Sequence, residues 1–176
     1  MIYSEFEYFL LHKPSGYLTA NSDAKDHVVM ELVPSKRPDL SPVGRLDKDT
    51  EGVLIITNDG ALSHKLLSPK NEIPKTYYFE TDSDISETAA ATLKEPVVFK
   101  EFTSKPARLT VLTKRSGEIT VTEGKYHEVK RLMHHVGSDV TYLKRISFAG
   151  IELGALEKGA VRALTEDEIN HLKSFS

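Results

Sequence analysis

The chain of 176 residues contains no cysteine and no tryptophan. Without cysteine there is no disulfide framework, no iron–sulfur site, no thiol nucleophile and no zinc site that uses a thiolate. Without tryptophan, any stacking on a planar ligand falls to Tyr, Phe or His. Long apolar runs are also missing. The longest reach about six residues, against roughly 20 for a bilayer span. The first residues, MIYSEFEYFLLHKP, lack the basic start and small-residue cleavage site of a signal peptide. These features give the expectation of a soluble, cytoplasmic protein with no membrane partner.

Positive charge is not in excess either. There are 23 Lys+Arg against 26 Asp+Glu, a formal net charge of −3. The sum does not suggest a nucleic-acid binder, but it leaves room for a local basic face. Serine-hydrolase, P-loop and dinucleotide signatures (GxSxG, Walker A, GxGxxG) are all absent from the sequence. What is present is ordinary for a globular protein: 39% hydrophobic and 28% charged residues. The length suits one domain, residues 1–176.

The chain has no repeats. Tyr8–Leu11 reads as a short buried strand, stopped by the turn Lys13-Pro14-Ser15-Gly16. Residues 21–42 read as a covering loop with a short helix at His27–Leu32. The run Val53–Thr57 is apolar and β-branched, a buried strand. Asp59 caps a helix over Ala61–Leu67 that Pro69 ends. Lys75–Thr81 reads as a strand and Ser86–Lys94 as a helix. Ala107–Thr113 and Glu118–Thr122 form a hairpin around Lys114–Gly117. Val129, Leu132, Met133 and Val136 recur at helical spacing, which predicts a helix over Tyr126–Val136. Val140–Ile151 is strand-like with a break at Gly150, and Thr165 with Glu168 makes a capping box for a last helix through His171. Strands mixed with helices, without regular βαβ alternation, predict an α+β protein with a mostly antiparallel sheet.

Three stretches concentrate chemistry. The loop from Gly44 to Gly52 carries Arg45, Asp47, Asp49 and Glu51 immediately before a buried strand, and reactive groups often sit on loops so anchored. Asp47, Asp49 and Glu51 also match the first positions of a calcium loop, but Asn58 stands where its bidentate Glu belongs and a strand follows instead of a helix. An ordinary solvated turn accounts for the loop equally well. The second stretch, Glu123 to Leu132, gathers Lys125, Lys130 and Arg131, with Lys144 and Arg145 downstream. Together with Lys13, Arg45, Lys65, Lys70 and Lys75 they make a candidate basic face, while acids cluster at 82–87 and 166–168. A solvated side of an amphipathic helix is the plainer account. His127, His134 and His135 include no i,i+4 pair and no HExxH for a metal. In the third stretch, Lys75–Phe79, alternation separates Tyr77 and Phe79 from Tyr78.

Taken together, HKPSGY at 12–17, GRLDKDTEGVLIITNDG at 44–60, KTY at 75–77 and EGKYHEVKRL at 123–132 resemble, in order and spacing, the pseudouridine synthases of the small-subunit ribosomal RNA type. The similarity runs from about Tyr8 to about Leu172. It implies an eight-stranded, mainly antiparallel mixed sheet flanked by helices and loops around a catalytic cleft. It implies isomerisation of a specific uridine in ribosomal RNA, most naturally 16S RNA or a small-subunit assembly particle, with no cofactor and no metal; a monomer is the default expectation. The resemblance places the essential aspartate at Asp47, the stacking tyrosine at Tyr77 and the basic partner of the aspartate at Lys130. Arg45, Leu46, Lys75, Lys125, His127, Arg131, Leu143 and Lys13 become expected RNA- or substrate-binding residues. The chain departs from the family pattern at Glu128, usually Gln, and Leu132, usually Met. It also opens close to the first strand of the catalytic domain, whereas relatives generally carry an S4 RNA-binding domain ahead of it. The alternative function is a non-catalytic RNA-binding or ribosome-assembly protein on the same fold.

Overall fold

A computed structural model of the protein describes residues 5–125 and 127–175. Its strands are β1 (Tyr8–Lys13), β2 (Ser41–Pro42), β3 (Glu51–Thr57), β4 (Lys75–Thr81), β5 (Arg108–Thr113), β6 (Ser116–Val121), β7 (Val140–Phe148), β8 (Ile151–Glu152) and β9 (Val161–Ala163). Its helices are α1 (Gly60–Leu67), α2 (Ala89–Leu93), α3 (Glu128–His135) and α4 (Glu166–Lys173). The predicted α+β class holds. One sheet runs in the order β5-β6-β4-β7-β3-β1-β9, with β2 on β3 and β8 on β7.

The apolar run at 53–57 becomes part of β3, which is buried along its whole length. It is buried because both sheet faces are covered there, and that is also why it reads as continuous rather than alternating. Val53 and Ile55 join Leu10, Leu62, Leu66, Phe148 and Leu172 on one side. Leu54 and Ile56 join Leu11, Val29, Leu40 and Leu46 on the other. A third cluster, with Phe79, Leu93, Ile119, Leu132, Met133 and Leu143, lies where α2 and α3 pack on β4 to β7. β3 pairs antiparallel with β1 and parallel with β7, so the sheet is mixed.

Capping follows the sequence. Asp59 Oδ1 accepts the Leu62 amide at 3.1 Å. Thr165 Oγ1 accepts the Glu168 amide at 3.1 Å, and Glu168 Oε1 accepts the Thr165 amide at 2.9 Å. Several boundaries differ. Nine strands are present among the described residues rather than eight, two of them, β2 and β8, only two residues long. β9, held to β1 by three residue pairs, carries no pattern long enough to be seen in sequence. The expected helix Ser86–Lys94 shrinks to Ala89–Leu93 because the Ser86 hydroxyl takes the Thr88 amide in a local turn. The hairpin turn tightens to Lys114–Arg115, with Ser116 already in β6. Tyr126, the expected start of α3, lies outside the described residues.

Candidate active site

The loop between β2 and β3 is fixed from both ends before its acid is placed. Leu46 is sunk into the core at 6% exposure. The Thr19 hydroxyl clamps its backbone, donating to the Leu46 carbonyl at 2.9 Å and accepting the Leu46 amide at 3.1 Å. The Asp47 carbonyl accepts the Thr50 amide at 2.9 Å, closing a turn. The Gly16 amide reaches across from the 13–16 turn to the Lys48 carbonyl at 2.8 Å.

Lys13 completes this clamp and corrects an expectation. It is not part of a basic surface: its side chain is fully buried. Its ammonium donates to the carbonyls of Pro14, Lys48 and Thr50 at 3.0, 3.0 and 2.7 Å. Three donors meet three acceptors, so no hydrogen is left for a phosphate. Burial pushes the amine down, and with Asp49, Glu51 and Asp47 pulling it partly back it settles at about 8. Lys13→Met leaves those carbonyls short of a donor and is expected to cost about 3 kcal/mol of folding stability, read as a lower urea midpoint. A midpoint equal to wild type would show that the clamp contributes nothing.

Asp47 projects from this loop toward the start of α3. Its Oδ1 lies 3.3 Å from His127 Nε2 and its Oδ2 lies 3.5 Å from Lys130 Nζ, with the aspartate side chain 31% exposed. Lys130 also bonds Asp49, at 3.1 and 3.2 Å, so one ammonium serves two carboxylates. His127 sits just before α3 with φ 52°, a left-handed conformation unusual for a residue with a side chain. That backbone twist places its ring against Asp47. Glu51, the third acid of the calcium-like pattern, is turned away: Tyr142 donates to its Oε1 and Lys158 pairs with its Oε2.

A cavity of about 380 Å³ opens beside Asp47, lined by Arg45, Leu46, Lys75, Tyr77, Lys125, His127, Lys130, Leu143, Arg145 and Phe148 among others. Its volume falls in the range of small-ligand sites. Its sheet wall depends on an irregularity. Between β4 and β7 the pairing passes from Thr76↔Ser147 to Tyr77↔Arg145, leaving Ile146 as an extra residue. Such a bulge re-aims the side chains beyond it. Paired residues share a face, so Lys75 with Phe148 and Tyr77 with Arg145 end on one side.

Of the expected site residues, all but Lys13 and Arg131 line the cavity. Arg131 pairs instead with Glu101 at 3.1 Å and stands over the Phe102 ring. Sequence reading missed Thr19, the pairing of Glu128 with Glu123, and the depth of Arg145. Arg145 was expected on the basic surface but is 2% exposed. The signal that places it inside is its spacing of two from Leu143 on one strand, which gives both the same face.

Comparisons with known proteins identify the family of the chain. The family model described as RNA pseudouridylate synthase matches residues 7–135. The chain belongs to the RNA pseudouridine synthases. It is 43% identical, over 97% of its length and 74% of the relative's, to the uncharacterized RNA pseudouridine synthase YtzG of Bacillus subtilis. It is 38% identical to ribosomal small subunit pseudouridine synthase A of Escherichia coli, over 92% of this chain and 72% of that one. A crystal structure of a pseudouridylate synthase superposes with a TM-score of 0.90 at 33% identity, covering 97% of this chain and 75% of that one. Proteins of this family are isomerases that act on RNA. No helix among the described residues is long and apolar enough to cross a membrane.

Glu128 stands out as a buried acid on the cavity wall, 5% exposed. Its Oε1 accepts the Lys125 amide at 3.2 Å. Burial, and then the Glu123 carboxylate beside it, push its carboxyl up to about 8. The sign of the consequence follows from linkage. A carboxyl raised in the folded state contributes stability below the ordinary glutamate range and loses it as pH rises through about 8. Glu128→Gln keeps the shape without the titration. Its melting temperature is therefore expected to gain on wild type between about pH 5 and pH 9. An offset that stays constant across that window would refute the raised carboxyl.

Proposed function

We propose that this chain isomerises a specific uridine of small-subunit ribosomal RNA to pseudouridine, acting as a cytoplasmic monomer without metal or cofactor. The observation that carries the reading is the placement of Asp47. Its carboxylate is held between His127 and Lys130 at the rim of a cavity that Tyr77 and Leu143 also line.

The reaction breaks the C1′–N1 bond, turns the uracil and rejoins it through C5. The hydrogen at C5 leaves as a proton and N1 gains one, so the change is a net isomerisation. Asp47 acts as nucleophile or base next to the sugar. The uridine must first leave its stack, at a cost of a few kcal/mol, which stacking on Tyr77 and phosphate contacts offset. Arg45 and Lys125, exposed beside the cavity, suit those phosphate contacts. Leu143 closes the wall against which the detached base is retained. Similarity to an enzyme named for the small ribosomal subunit supports the choice of RNA.

The test is tritium release from small-subunit ribosomal RNA labelled at uridine C5, free and in assembly particles, beside large-subunit RNA. Release from the small-subunit substrates alone is the expected result. Release only from large-subunit RNA would overturn the assignment of target. No release from any of them would overturn catalysis and leave the non-catalytic binding role.

A further inference from the structure

Arg145 is a buried guanidinium that the chemistry assigned above does not use. Its Nε donates to the Val53 carbonyl at 2.9 Å. Its guanidinium stands over the Phe148 ring at 4.7 Å. Its Nη2 is buried without a hydrogen-bond partner among the described residues. Lys75 stands over the same ring at 5.7 Å and gives one hydrogen bond, to the Ile73 carbonyl at 3.0 Å. Both residues line the cavity that holds Asp47.

A buried cation with an unmade hydrogen bond is costly. Structural duty accounts for one of the nitrogens, the one that meets Val53. The acids nearest this wall, Glu128 and Glu123, make no ion pair with Arg145: Glu128 meets the Lys125 amide and Glu123 the Lys105 amide. The site therefore offers positive charge and free donors deep in a pocket whose reacting carboxylate is at the rim.

Resting on the reading of the site as a uridine isomerase, we infer that Arg145, assisted by Lys75, binds a carbonyl oxygen of the uracil and takes the negative charge that develops there when the base detaches. When the C1′–N1 bond breaks, its electron pair stays with the uracil and spreads onto O2 and O4. Rejoining through C5 returns a pair to the sugar, and the proton from C5 is balanced by the proton gained at N1. Between the two steps the base is an anion that must neither escape nor be locked in place. A guanidinium in a water-poor pocket stabilises that charge more than it stabilises the neutral base, which is the condition for accelerating the step. Its fork also offers a second donor as the ring turns. A backbone phosphate is the poorer occupant. Arg145 is 2% exposed, and the part of a flipped nucleotide that reaches deepest is the base, not the phosphate.

The experiment pairs Arg145→Met and Lys75→Met with RNA carrying 2-thiouridine or 4-thiouridine at the target, since sulfur is a poor hydrogen-bond acceptor. Thermal melting confirms that each variant is folded. Expected results are a fall in kcat of about 10²- to 10³-fold for Arg145→Met with RNA Kd within about threefold. One of the two thio substitutions should slow wild type at least about tenfold and slow the variant no further. If Arg145→Met does not fold, the thio effect in wild type and its reduction in Lys75→Met carry the test. Wild-type kcat in folded Arg145→Met, no thio effect in wild type, or a thio penalty equal in wild type and variants would each overturn the inference. So would a change confined to Kd that vanishes at high salt, the signature of a phosphate contact. A wild type that forms no pseudouridine from natural RNA would instead bring down the isomerase reading, and this inference with it.

Discussion

Asp47→Asn is expected to reduce pseudouridine formation at least about 10³-fold while RNA binding changes no more than about threefold. The substitution keeps the volume and one acceptor oxygen but removes the negative charge that any nucleophile or base at this position needs. Folding should be nearly untouched. The loop is held by Thr19, Lys13 and Gly16 through bonds to its backbone carbonyls and amides. Lys130 keeps Asp49 as its partner at 3.1 Å. Single-turnover kinetics on labelled RNA, together with a melting curve and a binding isotherm, separate the outcomes. Full turnover in Asp47→Asn would move the chemistry to another group. Loss of activity together with loss of fold would make Asp47 a structural residue. His127 gives a useful contrast, because its removal takes away a neighbour of the carboxylate but not the carboxylate itself.

Much of this site was legible from the sequence because it is built from local motifs. The Asp47 loop precedes a β-branched run, and that run is buried on both faces. The capped starts of α1 and α4 follow from one side chain each, Asp59 and Thr165. What could not be read is non-local. A lysine next to a Pro-Ser-Gly turn looks solvated until three carbonyls, two of them some 35 residues away, close on its ammonium. The charge at Arg145 looks like part of a basic face until the strand's alternation is set against its neighbours. The bulge at Ile146 has no sequence signature at all, yet it decides that Lys75, Tyr77, Arg145 and Phe148 share a wall. Lys130 illustrates the same limit at the scale of one atom. The resemblance gives it one carboxylate partner, and the fold gives it two.

The second large effect is expected at Gly52, where the Asp47 loop enters β3. Gly52 pairs with Lys13 on one side and Arg145 on the other. Its φ of +120° belongs to a region that residues with a side chain rarely adopt. A Cβ built there falls 2.0 Å from the Arg145 carbonyl oxygen and 2.6 Å from the Arg145 amide nitrogen. Both are backbone atoms of a central strand, so no rotamer change relieves the overlap. β3 and β7 must separate, which stretches the bond from Arg145 Nε to the Val53 carbonyl and shifts the wall opposite Asp47. Gly52→Ala is therefore expected to lose about 4 kcal/mol or more, an exceptional cost for one methyl group. Any folded fraction should be nearly inactive. Gly60→Ala is the matched control, because a Cβ at that position in the first turn of α1 meets nothing within 4 Å. It should be neutral or stabilising by about 0.5 kcal/mol. Urea unfolding of both variants measures the difference directly. Equal midpoints would mean that the two central strands can part without penalty, and that the glycine ending the Asp47 loop is there for some reason other than the close approach of Arg145.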